Sequence, residues 1–149
     1  MRQSLSSAYT DTRKQRRRDG LKRSYEQIKR YLKEVRAAIQ ADRCRIEQSG
    51  RRPANQELCK NYVIDEAGIR RILLALTPED FCKVLHNQHK GFEQELLYVF
   101  GKEAELIPRF GTGKEAVALY IKINKLNDQF VIIVSFHKQT YPLAYAFKP

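Results

Sequence analysis

Between Glu115 and Lys138 apolar and polar side chains alternate along two runs, separated by the polar break Asn124-Lys125-Leu126-Asn127-Asp128. Alternation at period two marks a strand with one buried face, and two such runs around a turn predict a β-hairpin. In the first run Val117, Leu119, Ile121 and Ile123 fall on one face. In the second, Phe130, Ile132, Val134 and Phe136 form one face, and Val131, Ile133, Ser135 and His137 form the other. With Asn124 opposite Gln129, register gathers Tyr120, Lys122, Ser135 and His137 on the side away from the apolar stripe. The residues alone leave two readings open: a functional site, or an ordinary half-exposed sheet.

Upstream the period changes. Leu21, Tyr25, Ile28, Leu32, Val35 and Ile39 recur at alternating steps of four and three, which predicts a long amphipathic helix. Ile46 extends the pattern to about Gln48, and Ser49-Gly50 supplies the stop. Lys22, Lys29, Arg30, Lys33 and Arg36 fall on the opposite face, as a phosphate or partner surface or as the wet side of the helix. Pro53 to Asn61 reads as a short helix. Asp65 caps another that runs through Ile69, Ile72, Leu73 and Leu76. Thr77-Pro78-Glu79-Asp80 combines a capping hydroxyl, a first-turn proline and two acids at the positive helix end. It predicts a helix with Phe81, Val84 and Leu85 inward and Lys83, His86 and His89 toward solvent, ended by Gly91.

After Gly91 strand chemistry takes over. Glu95 to Phe100 reads as a strand, and Leu106 to Phe110 as a second, held to an edge or bulge by Pro108. Gly111-Thr112-Gly113 turns the chain into the hairpin, and Tyr141 to Phe147 reads as a short last strand. Helices first and antiparallel strands afterwards predict an α+β fold, with residues 21–149 as one domain behind a flexible basic segment, residues 1–20.

Composition adjusts this picture in two places. The chain has 149 residues and a formal net charge of +11, but residues 1–60 hold 17 Lys+Arg against 7 Asp+Glu, whereas the remainder is nearly balanced at 11 against 10. A basic half of that kind points to an acidic partner, nucleic acid or protein, or to a solvated basic tail. The apolar runs are too short for a membrane span, and the N-terminus has no apolar core typical of a secretory signal. Cys44, Cys59 and Cys82 are odd in number and widely spaced, which suits a reducing, cytoplasmic setting better than a disulfide framework.

Four groupings carry possible chemistry. Gly111-Thr112-Gly113-Lys114 lacks the spacing of a phosphate-binding loop and leads into a strand, so it is read as a turn. Cys82, His86 and His89 would share one face of the predicted helix as an arc of metal ligands, but no fourth ligand is evident, and no metal is expected. No paired carboxylates or Ser/His/Asp order stand out. The fourth grouping is Lys83, Gln94, Tyr120 and His137, with Lys138 next in line. RNA cleavage through the 2′-hydroxyl needs a base, an acid and positive charge near phosphorus, and no cofactor. His titrates near neutral pH, Lys supplies charge, and Tyr and Gln can bind phosphate or stack on a base.

The strings LTPEDFCKVL, EQELLY, LYIKI and VIIVSFHK, spread between about Tyr31 and Lys138, resemble the MqsR toxins. That resemblance implies a RelE-like fold and a ribosome-independent mRNA interferase restrained by a cognate antitoxin protein. It implies roles in activity for Lys83, Gln94, Tyr120 and His137, with Lys138, Lys122, Arg109 and His86 as substrate-binding candidates. The family has Lys directly after Ser-Phe, whereas this chain has His137 there and Lys138 one place later. The basic extension through about Arg30, the inserted stretch Ala104–Phe110 and the tail Thr140–Pro149 also depart from the family pattern. Alternatives of other kinds are a non-catalytic nucleic-acid or protein adaptor working through the basic helix, and a RelE-like nuclease acting on tRNA or at the ribosome.

Overall fold

The computed structural model describes residues 20–49 and 51–148. The expected flexible basic segment lies, apart from Gly20, outside the described residues. The chain folds as α+β, with three helices and one five-stranded sheet among the described residues.

Helix α1 is Tyr25–Gln40. Ser24 caps it: its hydroxyl accepts from Gln27 N at 3.2 Å, and the Gln27 side chain accepts from Ser24 N at 2.8 Å, so two orphan donors of the first turn are satisfied. Its inward stripe is Ile28, Tyr31, Leu32, Val35, Ala38 and Ile39. Tyr25 stays exposed, and its hydroxyl donates to Glu79 at 2.7 Å.

The helix ends well before Gln48. Asp42 adopts a left-handed conformation, φ 58°, and the chain leaves as strand β1, Cys44–Ile46. Ile46 is therefore a strand residue. The seven-residue step from Ile39 fits a helix and equally fits a helix, a turn and a strand that drain into one core.

Helix α2 is Pro53–Asn61, as expected, and helix α3 is Glu66–Leu74 with Asp65 as its cap, Oδ1 accepting from Gly68 N at 2.8 Å. The next expectation fails. Thr77 and Asp80 do form a capping box, but it closes only a single 3₁₀ turn, Pro78–Asp80, and Phe81–His86 continues as strand β2. A register shift between Phe81 and Lys83 leaves Cys82 as an extra residue. That bulge places Phe81 and Val84, three apart, both in the core, which mimics helical spacing in the sequence. The carboxylate of Asp80 is buried, and Lys102 Nζ pairs with it at 3.2 Å.

Strand β3, Leu96–Leu106, is longer than expected and absorbs the start of the second predicted strand. Pro108 makes only an isolated bridge to Tyr62. Strands β4, Glu115–Lys125, and β5, Val131–Lys138, form the hairpin.

The order in the sheet is β1-β5-β4-β3-β2. β2 to β5 form an antiparallel meander, while β1 lies parallel to β5, so the sheet is mixed, not purely antiparallel. One face packs under α1 through Phe100, Leu119, Ile121, Ile123, Ile133 and Phe136, all buried. Tyr31 of α1 lies flat on Tyr98, ring centroids 3.8 Å apart.

Past Ile46, β1 no longer covers the outer edge of β5, and Asn55 of α2 takes over. Its side-chain nitrogen donates to Val134 O at 3.1 Å and Glu47 O at 2.8 Å, and its oxygen accepts from Phe136 N at 3.0 Å. A fully buried amide thus replaces a missing strand. Tyr141–Phe147 is not a strand. It clasps the free edge of β2: Ala146 N donates to Phe81 O at 3.0 Å, and Phe147 packs on Phe81 on the helix side. A Cβ on Gly101 would come within 2.4 Å of Tyr145 Oη and 2.8 Å of Leu143, so only glycine leaves room for this tail.

No helix among the described residues is long and apolar enough to cross a membrane.

Candidate functional site

The face of the sheet away from α1 holds the polar side chains. Register pairs Tyr120 with His137 and Lys122 with Ser135, so these four side chains share the front face. The turn is not closed by Asn124 and Gln129, however. Lys125 pairs with Val131, Leu126 N donates to Phe130 O at 2.8 Å, and Gln129 sits at φ 67°. A second bulge explains why the front face survives this change. Ile123 pairs with Ile133 and Lys122 with Ser135, which leaves Val134 as the extra residue. It sends Val131, Ile133 and Phe136 to the core, and Ile132, Ser135 and His137 to the front. Strict alternation puts Val131 and Ile133 on the face of His137; the bulge turns them to the core instead.

Tyr120 and His137 stack face to face, centroids 5.1 Å apart and planes 11° from parallel. Lys122 Nζ lies 5.9 Å from the centre of the Tyr120 ring. His137 Nδ1 is 2.9 Å from the backbone oxygen of Lys138. A carbonyl only accepts, so this contact fixes the proton on Nδ1 and leaves the Nε2 lone pair available in the neutral ring.

Lys122 is half-buried, and burial lowers its pKa, with the neighbouring charges of Arg52 and Lys83 acting in the same direction. Burial raises the pKa of Tyr120, helped by Tyr141 and Cys82 and opposed by Arg52. The phenol thus stays protonated and can donate. Arg52 and Tyr141 had no local signal in the sequence: Arg52 arrives from the residue before α2 and Tyr141 from the tail.

Lys83 projects from the front of β2, in the same cross-strand row as Val99, Lys122 and Ser135. It rides on an edge strand, not on a helix. At 4.7–4.9 Å per strand spacing, the backbone at Lys83 is about 10 Å from that at Lys122 and about 15 Å from the strand that carries His137. The tail residues over Gly101 also fill the front between Tyr120 and the β2 edge. Lys122, one strand from His137, is therefore the nearer cation.

Other expected site residues are dispersed. Gln94 precedes β3 in a turn and lines a different cleft of about 1010 Å³, with Arg23, Gln27 and Arg30 of the helix side. Arg109 donates to the Cys59 carbonyl at 3.0 Å, at the C-terminal end of α2. Lys138 points to the opposite side of β5 from His137 but lines the cleft beside it. His86 Nδ1 lies 3.2 Å from Glu93 O, on the rim of a cleft that also holds Lys122 and Arg52.

Cys82, His86 and His89 do not share one helical face. Cys82 lies on a strand bulge, His86 at the end of that strand, and His89 stacks on Phe92 in the following loop. Among the described residues no group of three His, Cys, Asp or Glu side chains is placed to hold a metal ion. Burial pushes the Cys82 thiol up to about 11, which makes it a poor nucleophile at neutral pH.

Compared with protein families, curated proteins and solved structures, the chain matches none of them.

Proposed function

We propose that the protein is an endoribonuclease of the MqsR type, with a RelE-like fold, that cleaves RNA through its 2′-hydroxyl and is restrained as a toxin by a protein antitoxin. The observation that carries the reading is the His137–Tyr120 stack with Lys122 beside it on the partly covered front of the sheet. His137 Nε2 takes the 2′-hydroxyl proton as the 2′-oxygen bonds to phosphorus. The bond from phosphorus to the 5′-oxygen breaks, and that oxygen takes a proton from Lys122 or water. The products are a 2′,3′-cyclic phosphate and a 5′-hydroxyl. The Tyr120 hydroxyl donates to a phosphate oxygen, and Lys122 and Arg52 offset the charge gathering there. Lys83, farther out, suits a neighbouring phosphate of the same strand, and Gln94 has no part in this centre. Nothing in this chemistry calls for a metal or cofactor. It takes place in the cytoplasm, where mRNA is the expected substrate; tRNA and ribosome-bound RNA are the alternatives.

The test is incubation of the purified protein with RNA in EDTA. Products ending in a 2′,3′-cyclic phosphate are expected, with a far greater loss of activity in His137→Ala than in Lys138→Ala. Intact RNA would sink the reading.

The exposed Lys29, Arg30 and Lys33 on the outer side of α1 favour a second reading, a basic adaptor for nucleic acid or an acidic protein. Deleting residues 1–30 would remove Ile28 from the core, so charge reversal of these three side chains is the sounder discriminator. An adaptor loses its partner on reversal, whereas a nuclease keeps its chemistry on short substrates.

A further inference from the structure

Phe110 is 85 % exposed, the most open of the large apolar side chains among the described residues. The loop that carries it is nevertheless tied down on one side. Just before it, Pro108 bridges to Tyr62 and Arg109 N donates to Asn61 O at 2.8 Å, which pins the loop to the end of α2. Just after it, Gly111 and Gly113 take φ values of 132° and 75° and turn the chain away toward β4. The ring is thus held at the rim of a cleft of about 590 Å³ that it shares with His137, Lys138 and Thr140. Tyr141, 54 % exposed, lies near enough to Tyr120 to bear on its phenol. Two acids, Glu57 and Glu115, line the same cleft, and Glu115 is engaged by the Tyr62 hydroxyl.

A flat apolar ring left in water beside His137 and one cation, Lys138, suits an unpaired nucleobase: the ring takes the base face while the imidazole and the ammonium face the backbone. A duplex keeps its base faces stacked inside and cannot use such a ring. We infer that Phe110 stacks a nucleobase next to the phosphate held at His137, so that the cleft selects single-stranded RNA. This inference rests on the reading of His137, Tyr120 and Lys122 as the cleaving centre.

The experiment uses the full chain and a single-stranded 2′-fluoro RNA carrying 2-aminopurine, which cannot be cut and loses fluorescence on stacking. The wild type should bind it and quench it. Phe110→Ala should bind about 5- to 150-fold more weakly, the range for one lost base–aromatic stack, and should not quench, while Phe110→Trp restores both. Thermal unfolding of Phe110→Ala should match the wild type, because the ring is outside the core. If the wild type binds and cuts RNA but Phe110→Ala binds and quenches equally, the inference is overturned, and Phe110 joins the exposed Val63 and Ile107 as a protein contact. If the wild type binds and quenches yet never cuts cleavable RNA, only the catalytic reading falls. If it neither binds nor cuts, both fall.

Discussion

The two faces of the sheet share one backbone and do different work. Under α1, Phe100, Leu119, Ile121, Ile123, Ile133 and Phe136 are closed off from water and touch one another. On the front, the same strands present Tyr120, Lys122 and His137, half-buried and stacked. Burial of the first set supplies the free energy that holds the second set in place. The faces are kept distinct at two bulges, Cys82 and Val134, and at the buried amide of Asn55, which ties the bulged stretch of β5 to α2. A buried polar residue at the edge of β5 thereby ties α2 to the strand that carries His137.

Substitutions should separate the faces cleanly. His137→Ala should lower RNA cleavage about 10²- to 10⁴-fold, the usual worth of a general base, and leave the urea midpoint nearly unmoved. Phe100→Ala should do the reverse, costing about 3–5 kcal/mol of stability in urea unfolding with activity retained by the folded fraction. Asn55→Leu tests the link between them. It strands Val134 O, Glu47 O and Phe136 N, at about 1–3 kcal/mol for each buried group left unpaired. It should also reduce cleavage in protein that is still folded, because β5 loses its anchor at the bulge; normal activity in the folded fraction would break the link.

The smallest effect is on pH. Burial lowers the Lys122 pKa in the folded protein. Between that value and the ordinary lysine value the unfolded chain binds more protons, so this residue adds stability as pH rises through that window. Cleavage moves the other way. Its alkaline limb should begin below the ordinary lysine range and shift upward in Lys122→Arg, as read from a pH–rate profile.

The sequence was legible wherever local chemistry and final structure agreed. Asp65 and Pro53 mark helix starts by hydrogen bonds and φ preferences that need no distant partner. The alternation from Val117 to Ile123 reports a buried face directly. It misled where a distant partner decided the outcome. Thr77 to Asp80 is a sound helix start, but Phe81 to His86 gains more by pairing with β3, and the Cys82 bulge spaces Phe81 and Val84 like a helix. Ile46 likewise keeps helical spacing while belonging to a strand paired with β5. In the site, Tyr120, Lys122 and His137 could be grouped because one hairpin carries all three. Arg52 and Tyr141 could not, since only the packing of α2 and the path of the tail bring them near.

Cys44 to Ile46 lie beside Val131 to Ile133, which come much later in the chain. During synthesis that pairing must wait until β5 has left the ribosome, and α1 meanwhile has no finished sheet to cover. His137 is carried by that same strand. A chain broken off before β5 therefore lacks both the strand that joins β1 to the sheet and the imidazole, and on the proposed reading it would not cut RNA.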